Sequence, residues 1–267
     1  MVADLHLHSR FSFDSGEEAK NYVIMAQSLG ADRLGFSEHY DYDAVLDGAD
    51  GVVPCDLKAY VATIENLWKQ FPRTEILLGV EFGYRDDVLP KYRELIDEYD
   101  FDYVINSVHT VKGCGGCFHE RFFEWRTLRQ SYADYLSAVL ESVKADFDYQ
   151  IIGHIGYVSR YHAGENHKIK YEDFSEIFDL ILMEIIARGK CLEINVSVGK
   201  HDWLCLPDEG IIKRYVELGG EKLSFGSDAH RASALLKNCD EIVDFLKSIG
   251  VERLFYYKKR QAVAYKI

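Results

Sequence analysis

"ADLHLHSRFSFDS", residues 3–15, alternates as a strand does, yet it places imidazoles and a carboxylate on a single side. Successive strand residues point to opposite faces, so His6 and His8 share one face and Asp4 stands in phase with them. Asp14 follows six residues after His8. A face that polar belongs at the mouth of a cavity, where a strand ends.

Working outward from this stretch, further β-rich apolar runs occur at 33–37, 75–80, 101–107, 149–154, 191–195 and 222–226. Helical periodicity fills the intervals at about 17–29, 56–71, 88–98, 127–144, 172–187, 207–218 and 232–248. Asp56, Ser131 and Asp208 suit helix starts, and Gly30, Gly189, Gly219 and Gly250 suit helix ends. With residues 3–8 as the first strand, seven strands each precede a helix, the pattern of repeated βα units around a parallel sheet. No Ser/Pro-rich linker divides the 267 residues, so residues 1–267 are expected to form one α/β domain. A closed or nearly closed barrel is the expected architecture, with an open doubly wound sheet as the alternative.

Composition narrows the function classes. A hydrophobic share of 48% supplies a large core. No run of about 18 apolar residues exists to span a membrane, and the N-terminus lacks a basic stretch followed by an apolar segment. Six scattered cysteines suit reduced thiols, so a cytoplasmic location is expected. The net charge of −13 argues against nucleic acid as a partner, yet an anionic substrate stays compatible because bound metal ions reverse a local field.

Laid over the strand map, the metal-type residues fall in register. His6 and His8 end the first strand, Glu38 and His39 the second, Glu81 the third, His109 the fourth, His154 the fifth, and Asp228 with His230 the seventh. In an α/β barrel these carboxyl ends converge on the face where active sites are built. Imidazoles with carboxylates and no thiolate suit Zn²⁺, Fe²⁺ or Mn²⁺. Nine candidate ligands are too many for one ion, so a multinuclear site is expected, with Glu81 and Asp228 as bridging carboxylates.

These motifs resemble the PHP family, named for its polymerase and histidinol-phosphatase members. "DLHLHS", "SEH", "GVE", "SVH", "GH" and "GSDAH" occur in the family's order from Asp4 to His230. "GHIGYVSRY" (153–161) and "YYKKRQAVAYKI" (256–267) look like the histidinol-phosphate phosphatase branch. The resemblance implies a distorted (β/α)7, TIM-like barrel holding three divalent metal ions. It assigns His6, His8, Glu81 and Asp228 to one ion, Glu81, His109 and His154 to the second, and Asp14, His39 and His230 to the third. It also implies hydrolysis of L-histidinol phosphate to L-histidinol and phosphate, in histidine biosynthesis. Hydroxide generated on the metals would attack phosphorus in line. Arg160 would bind the phosphoryl oxygens, and Asp228 or His230 would assist the leaving alkoxide. Members of the branch often carry an Arg shortly after the "EIN" strand. Here Ser197 stands there, and Lys200 or His201 is the expected substitute.

The alternatives are another PHP phosphoesterase acting on nucleotides or small phosphate esters, or a noncatalytic metal-stabilised scaffold. A small phosphorylated metabolite and divalent metals are the expected partners, without nucleic acid or membrane; self-association into a homo-oligomer is compatible with these features. Asp4, Ser107 and Asn195 suit a supporting role around the imidazoles. Cys114 and Cys117 read as part of an active-site wall, and residues 117–128 as a covering segment. His162 and His167 read as exposed loop residues, "YYKKR" (256–260) as a strand end, and the acids at 41–50 as a solvated loop.

Overall fold

The computed structural model describes residues 2–46, 51–162 and 167–267. Its strands are β1 (Arg33–Tyr40), β2 (Glu75–Gly83), β3 (Tyr103–Ser107), β4 (Thr110–Val111), β5 (Gly115–Gly116), β6 (Ile151–Ile152), β7 (Cys191–Asn195), β8 (Leu223–Gly226), β9 (Arg253–Lys258) and β10 (Gln261–Lys266). The α-helices are α1 (Ala19–Ser28), α2 (Tyr42–Leu46), α3 (Leu57–Gln70), α4 (Leu89–Glu98), α5 (Leu128–Lys144), α6 (Ser175–Ala187), α7 (Glu209–Glu217) and α8 (Cys239–Ser248).

Six strands form one parallel sheet in the order β1-β2-β3-β6-β7-β8, without the reversal that defines a doubly wound sheet. The opening segment joins its two edges. Asp4 bridges both Leu34 of β1 and Phe225 of β8, and Leu7 bridges Ala229. Leu5 N–H donates to the Phe225 carbonyl at 3.1 Å while Gly35 N–H donates to that of Asp4 at 2.8 Å. Residues 3–8 thus occupy the seventh position of a distorted barrel, as isolated bridges in place of a regular strand.

Local sequence explains the helix boundaries. Asp56 and Asp208 accept from the backbone of Ala59 and Gly210, as expected of caps. Ser131 is a correction, because α5 starts earlier. Thr127 caps it, and Gln130 completes a reciprocal capping box, so Ser131 lies inside the helix.

The floor of the barrel is apolar. Ala3, Leu5, Leu77, Tyr103, Ile105, Ile151 and Cys191 pack with Tyr256 and Tyr257 of the antiparallel β9–β10 hairpin. Tyr103 spans this interior and donates to the carbonyls of Leu5 at 2.7 Å and Phe36 at 2.9 Å. Gly35 and Gly79 make room for it: a Cβ at either would lie 2.4 Å or 2.3 Å from the Tyr103 side chain. Among the described residues, no helix is long and apolar enough to cross a membrane.

Candidate metal centre

β1 and β2 run past their expected ends, through His39 and Glu81, because both chains stay extended where they face the cavity. Their register pairs His39 directly with Glu81. The Glu81 carboxylate, fully buried, is the centre of the site. One oxygen lies 3.1 Å from His6 Nε2, 3.6 Å from His8 Nε2 and 3.0 Å from His39 Nδ1. The other lies 3.3 Å from His109 Nε2 and 2.9 Å from His154 Nε2. Asp228 Oδ1 sits 3.3 Å from His8 Nε2 and 3.9 Å from His6 Nε2. Asp14 lies 3.0 Å from His230 Nε2 and 3.7 Å from His39 Nε2. All nine sequence-predicted residues therefore meet in one cavity.

The unmet hydrogen-bonding capacity matters most. Around Glu81, His6 Nε2, His8 Nε2, His39 Nδ1 and Glu81 Oε2 are buried without a hydrogen-bond partner. Buried polar atoms are normally paired, so a cluster of orphaned lone pairs calls for a cation. Within it, His6–His8–Glu81, Glu81–His109–His154 and His8–His39–His230 each offer three ligand atoms within 4.8 Å of one another. This nitrogen–oxygen donor set fits a borderline divalent ion such as Zn²⁺.

Surrounding groups fix the rings so that Nε2 faces inward. His6 Nδ1 pairs with Glu193 at 2.5 Å, His109 Nδ1 with Asp41 at 2.9 Å, and His230 Nδ1 with the Asp228 carbonyl at 3.1 Å. His8 Nδ1 meets Ser12 at 3.1 Å, whose hydroxyl donates to Glu38 at 2.6 Å; Glu38 also accepts from the Ser9 backbone. Asp4 accepts from Ser227 N–H and Leu236 N–H, pinning both ends of the loop that holds Asp228 in a left-handed conformation (φ 52°).

The electrostatics agree with the donor set. Burial opposes charge on Glu81, but His6, His109 and His39 outweigh it and hold the carboxyl well below the usual range. Asp228 is likewise held low, by His6, His8 and Arg160 against burial. His8 is pushed down to about 3 by burial and by His39 and His230, so it stays neutral and keeps its lone pair. For His6, His39 and His109, neighbouring carboxylates overcome burial and raise the imidazoles well above their ordinary value. The cavity attracts positive charge.

Arg160, in the 3₁₀ turn Tyr157–Tyr161, reaches the rim. Its Nη1 lies 3.2 Å from Asp228 Oδ2, and its Nη2 donates to Ser197 Oγ at 3.0 Å. Lys200 is exposed, on a turn passing beside Arg160: a Cβ on Gly199 would lie 4.0 Å from that of Arg160. His201 stacks on Trp203, ring centroids 3.9 Å apart. Cys117 N–H donates to the His109 carbonyl, which makes the "GCGGC" loop a support behind His109. Of the residues expected as supports, Asp4 and Asn195 serve, whereas Ser107 Oγ is buried without a partner.

The acids at 41–50 need correction. Asp41 and Asp43 are buried, Asp41 between His39 and His109, and Asp43 bonded to Thr110. Residues 47–50 of that stretch lie outside the described residues. Asp41 and Glu193 are the functional residues that sequence reasoning missed. Asp41 continues the strand alternation two residues after His39, and Glu193 sits within "LEIN", so a period-2 reading of those strands carries the signal.

Comparisons with known proteins agree with this geometry. Residues 4–197 match the family described as the PHP domain. The chain is 26% identical to a probable histidinol-phosphatase of Clostridium acetobutylicum, over 97% of this chain and 98% of that one. It is 28% identical to a histidinol-phosphatase of Lactococcus lactis, over 94% and 92% respectively. Its fold superposes with a TM-score of 0.89 on the crystal structure of a histidinol phosphate phosphatase from Lactococcus lactis in complex with zinc, L-histidinol and phosphate. The identity there is 26%, with 98% of each chain covered.

Proposed function

The chain belongs to the PHP domain family, and from that premise we propose that it is a divalent-metal-dependent phosphomonoesterase acting on L-histidinol phosphate. The observation that carries the reading is the ring of orphaned nitrogen and oxygen atoms around Glu81, with Arg160 at its rim. The relatives named histidinol-phosphatase, matched along nearly their whole lengths, support the substrate.

His6, His8, Glu81 and Asp228 would hold one ion, Glu81, His109 and His154 a second, and Asp14, His39 and His230 a third. Bound there, divalent ions acidify water and offset the charge of phosphoryl oxygens. The chain's own groups do the rest. Glu193, Asp41 and Ser12 keep the imidazoles aimed inward, and Arg160 binds the phosphoryl group through donors that its protein contacts leave unused. His230, the most exposed of the cavity imidazoles, has Nδ1 engaged by the Asp228 carbonyl and Nε2 turned to Asp14, which commits it to the ligand role; Asp228 holds Arg160 and His8 in place. Lys200 adds positive charge near the rim.

Phosphate release from a panel of small phosphate monoesters, with Mn²⁺ or Zn²⁺ and with chelator, tests this. Turnover concentrated on histidinol phosphate and lost with chelator is expected. Preference for nucleotides would overturn the substrate, and inactivity of metal-loaded protein would favour a scaffold.

A further inference from the structure

β7 is the strand whose end carries no predicted ligand, yet its inward residues form a polar ladder. Glu193, Asn195 and Ser197 follow at i, i+2, i+4 and share one face. Glu193 accepts from the His154 backbone at 2.6 Å and pairs with His6. Asn195 donates to Glu193 at 3.3 Å and accepts from Ser197 N–H at 2.9 Å. Ser197 then accepts from Arg160 at 3.0 Å. One hydrogen-bonded path thus runs from the imidazoles to the rim guanidinium.

Two aromatic rings and a carboxylate flank Arg160 as well. Its side chain is 13% exposed, and its guanidinium lies 5.1 Å from the Tyr157 ring centroid and 5.6 Å from that of Tyr161. Asp228 takes one of its five N–H groups and Ser197 another, so three stay available for an anion. The two edge partners differ in kind. A carboxylate fixes the guanidinium but offsets its charge; a hydroxyl fixes it and leaves the charge intact. A second carboxylate at 197 would cancel the attraction that a phosphate dianion needs.

We propose that Ser197 is the positioning residue that makes Arg160 an anion anchor, holding its plane toward the metal cavity as a neutral acceptor. This rests on the reading of the site as one for phosphate monoesters. A long side chain that is already fixed loses little conformational freedom on binding, so preorganisation appears as affinity.

The test is a double-mutant cycle of Ser197→Ala and Arg160→Ala, with Ser197→Thr as the conservative control. Calorimetric titration of inorganic phosphate into metal-loaded protein is read beside KM and kcat. Loss of one hydrogen bond to a charged group predicts that Ser197→Ala raises phosphate Kd and KM by about 10-fold. It should leave kcat and bound metal unchanged. Ser197→Thr should restore both constants, and Ser197→Ala should have no further effect once Arg160 is Ala. An unchanged Kd in Ser197→Ala, an equal effect in the Arg160→Ala background, or lost metal would overturn the proposal. If the wild-type chain instead hydrolyses a different monoester, the substrate assignment fails while the phosphate titration still decides the role of Ser197.

Discussion

At the floor of the barrel Leu5, Leu77, Ile105 and Ile151 pack against the hairpin tyrosines; three or four residues further along the same segments, His8, Glu81, His109 and His154 face one another. Both sets are buried. At the floor, Tyr103 donates to two carbonyls and apolar contacts fill the space, and the Tyr257 hydroxyl stands as a buried polar atom without a hydrogen-bond partner. At the mouth, four converging nitrogen and oxygen atoms, of His6, His8, His39 and Glu81, are buried without a hydrogen-bond partner. The floor is filled by its own mostly apolar side chains, whereas the mouth gathers converging donor atoms suited to a bound cation. Stability and function are thereby separated along each strand, which is why one barrel end tolerates chemistry that a core would reject.

This contrast is breakable. The largest effect is expected from Glu81→Gln, which removes the carboxylate shared by five imidazoles. Activity should fall roughly 1,000-fold, about 4 kcal/mol in barrier, with bound metal reduced and the metal-free fold retained. Steady-state kinetics, elemental analysis and thermal melts check it. At the floor the signs reverse. A Cβ on Gly79 would lie 2.3 Å from the Tyr103 ring, so Gly79→Ala should cost about 1–3 kcal/mol in denaturant unfolding while the folded fraction keeps its kcat. Equal damage to both properties by either variant would erase the distinction between the two ends.

Much of the mouth is legible in sequence because eight of the nine candidate ligands sit at or just past the end of a β-rich run; Asp14, in the loop after the first, comes from the family resemblance alone. The order of the strands was not legible: the same βα units fit an open doubly wound sheet, and the pairings β1-β2-β3-β6-β7-β8 with the bridges of Asp4 to both edges decide it. The supports were harder to read. Asp41 looks like one more acid in a polar stretch, and only the burial of β1 to its last residue shows that it lies between two imidazoles. Glu193 looks like a strand residue until His6 is placed across the barrel, 187 positions away in sequence. The periodicity places α5 where it lies, but its cap is ambiguous in sequence: Ser131 competes with Thr127, and only Thr127 has a partner at the right spacing.

Smaller effects sharpen the account. Arg160→Ala should raise KM by about 10- to 100-fold, the worth of charge-assisted hydrogen bonds, with metal content unchanged. Lost metal would mean that Arg160 serves Asp228 and not the substrate. The smallest effect concerns the exposed edge of the cavity. Burial disfavours charge on His230, but its hydrogen bond with Asp14 and the charge of Asp228 outweigh this and raise its pKa above 6.5. A raised folded value means that the pair stabilises metal-free protein fully below pH 6.5, and that the contribution fades as pH rises through the raised value. Both side chains are partly exposed, so the contribution should be under about 1 kcal/mol. His230→Gln should flatten that part of the pH–stability curve; an unchanged curve would remove the pair from the account.

The most direct test follows metal and activity in one sample. Protein stripped by chelator should be folded and inactive towards histidinol phosphate, and titration with Zn²⁺ or Mn²⁺ should restore phosphate release in step with the ions bound. Full activity in the stripped protein, or tight metal binding with no phosphate release at any loading, would contradict the account.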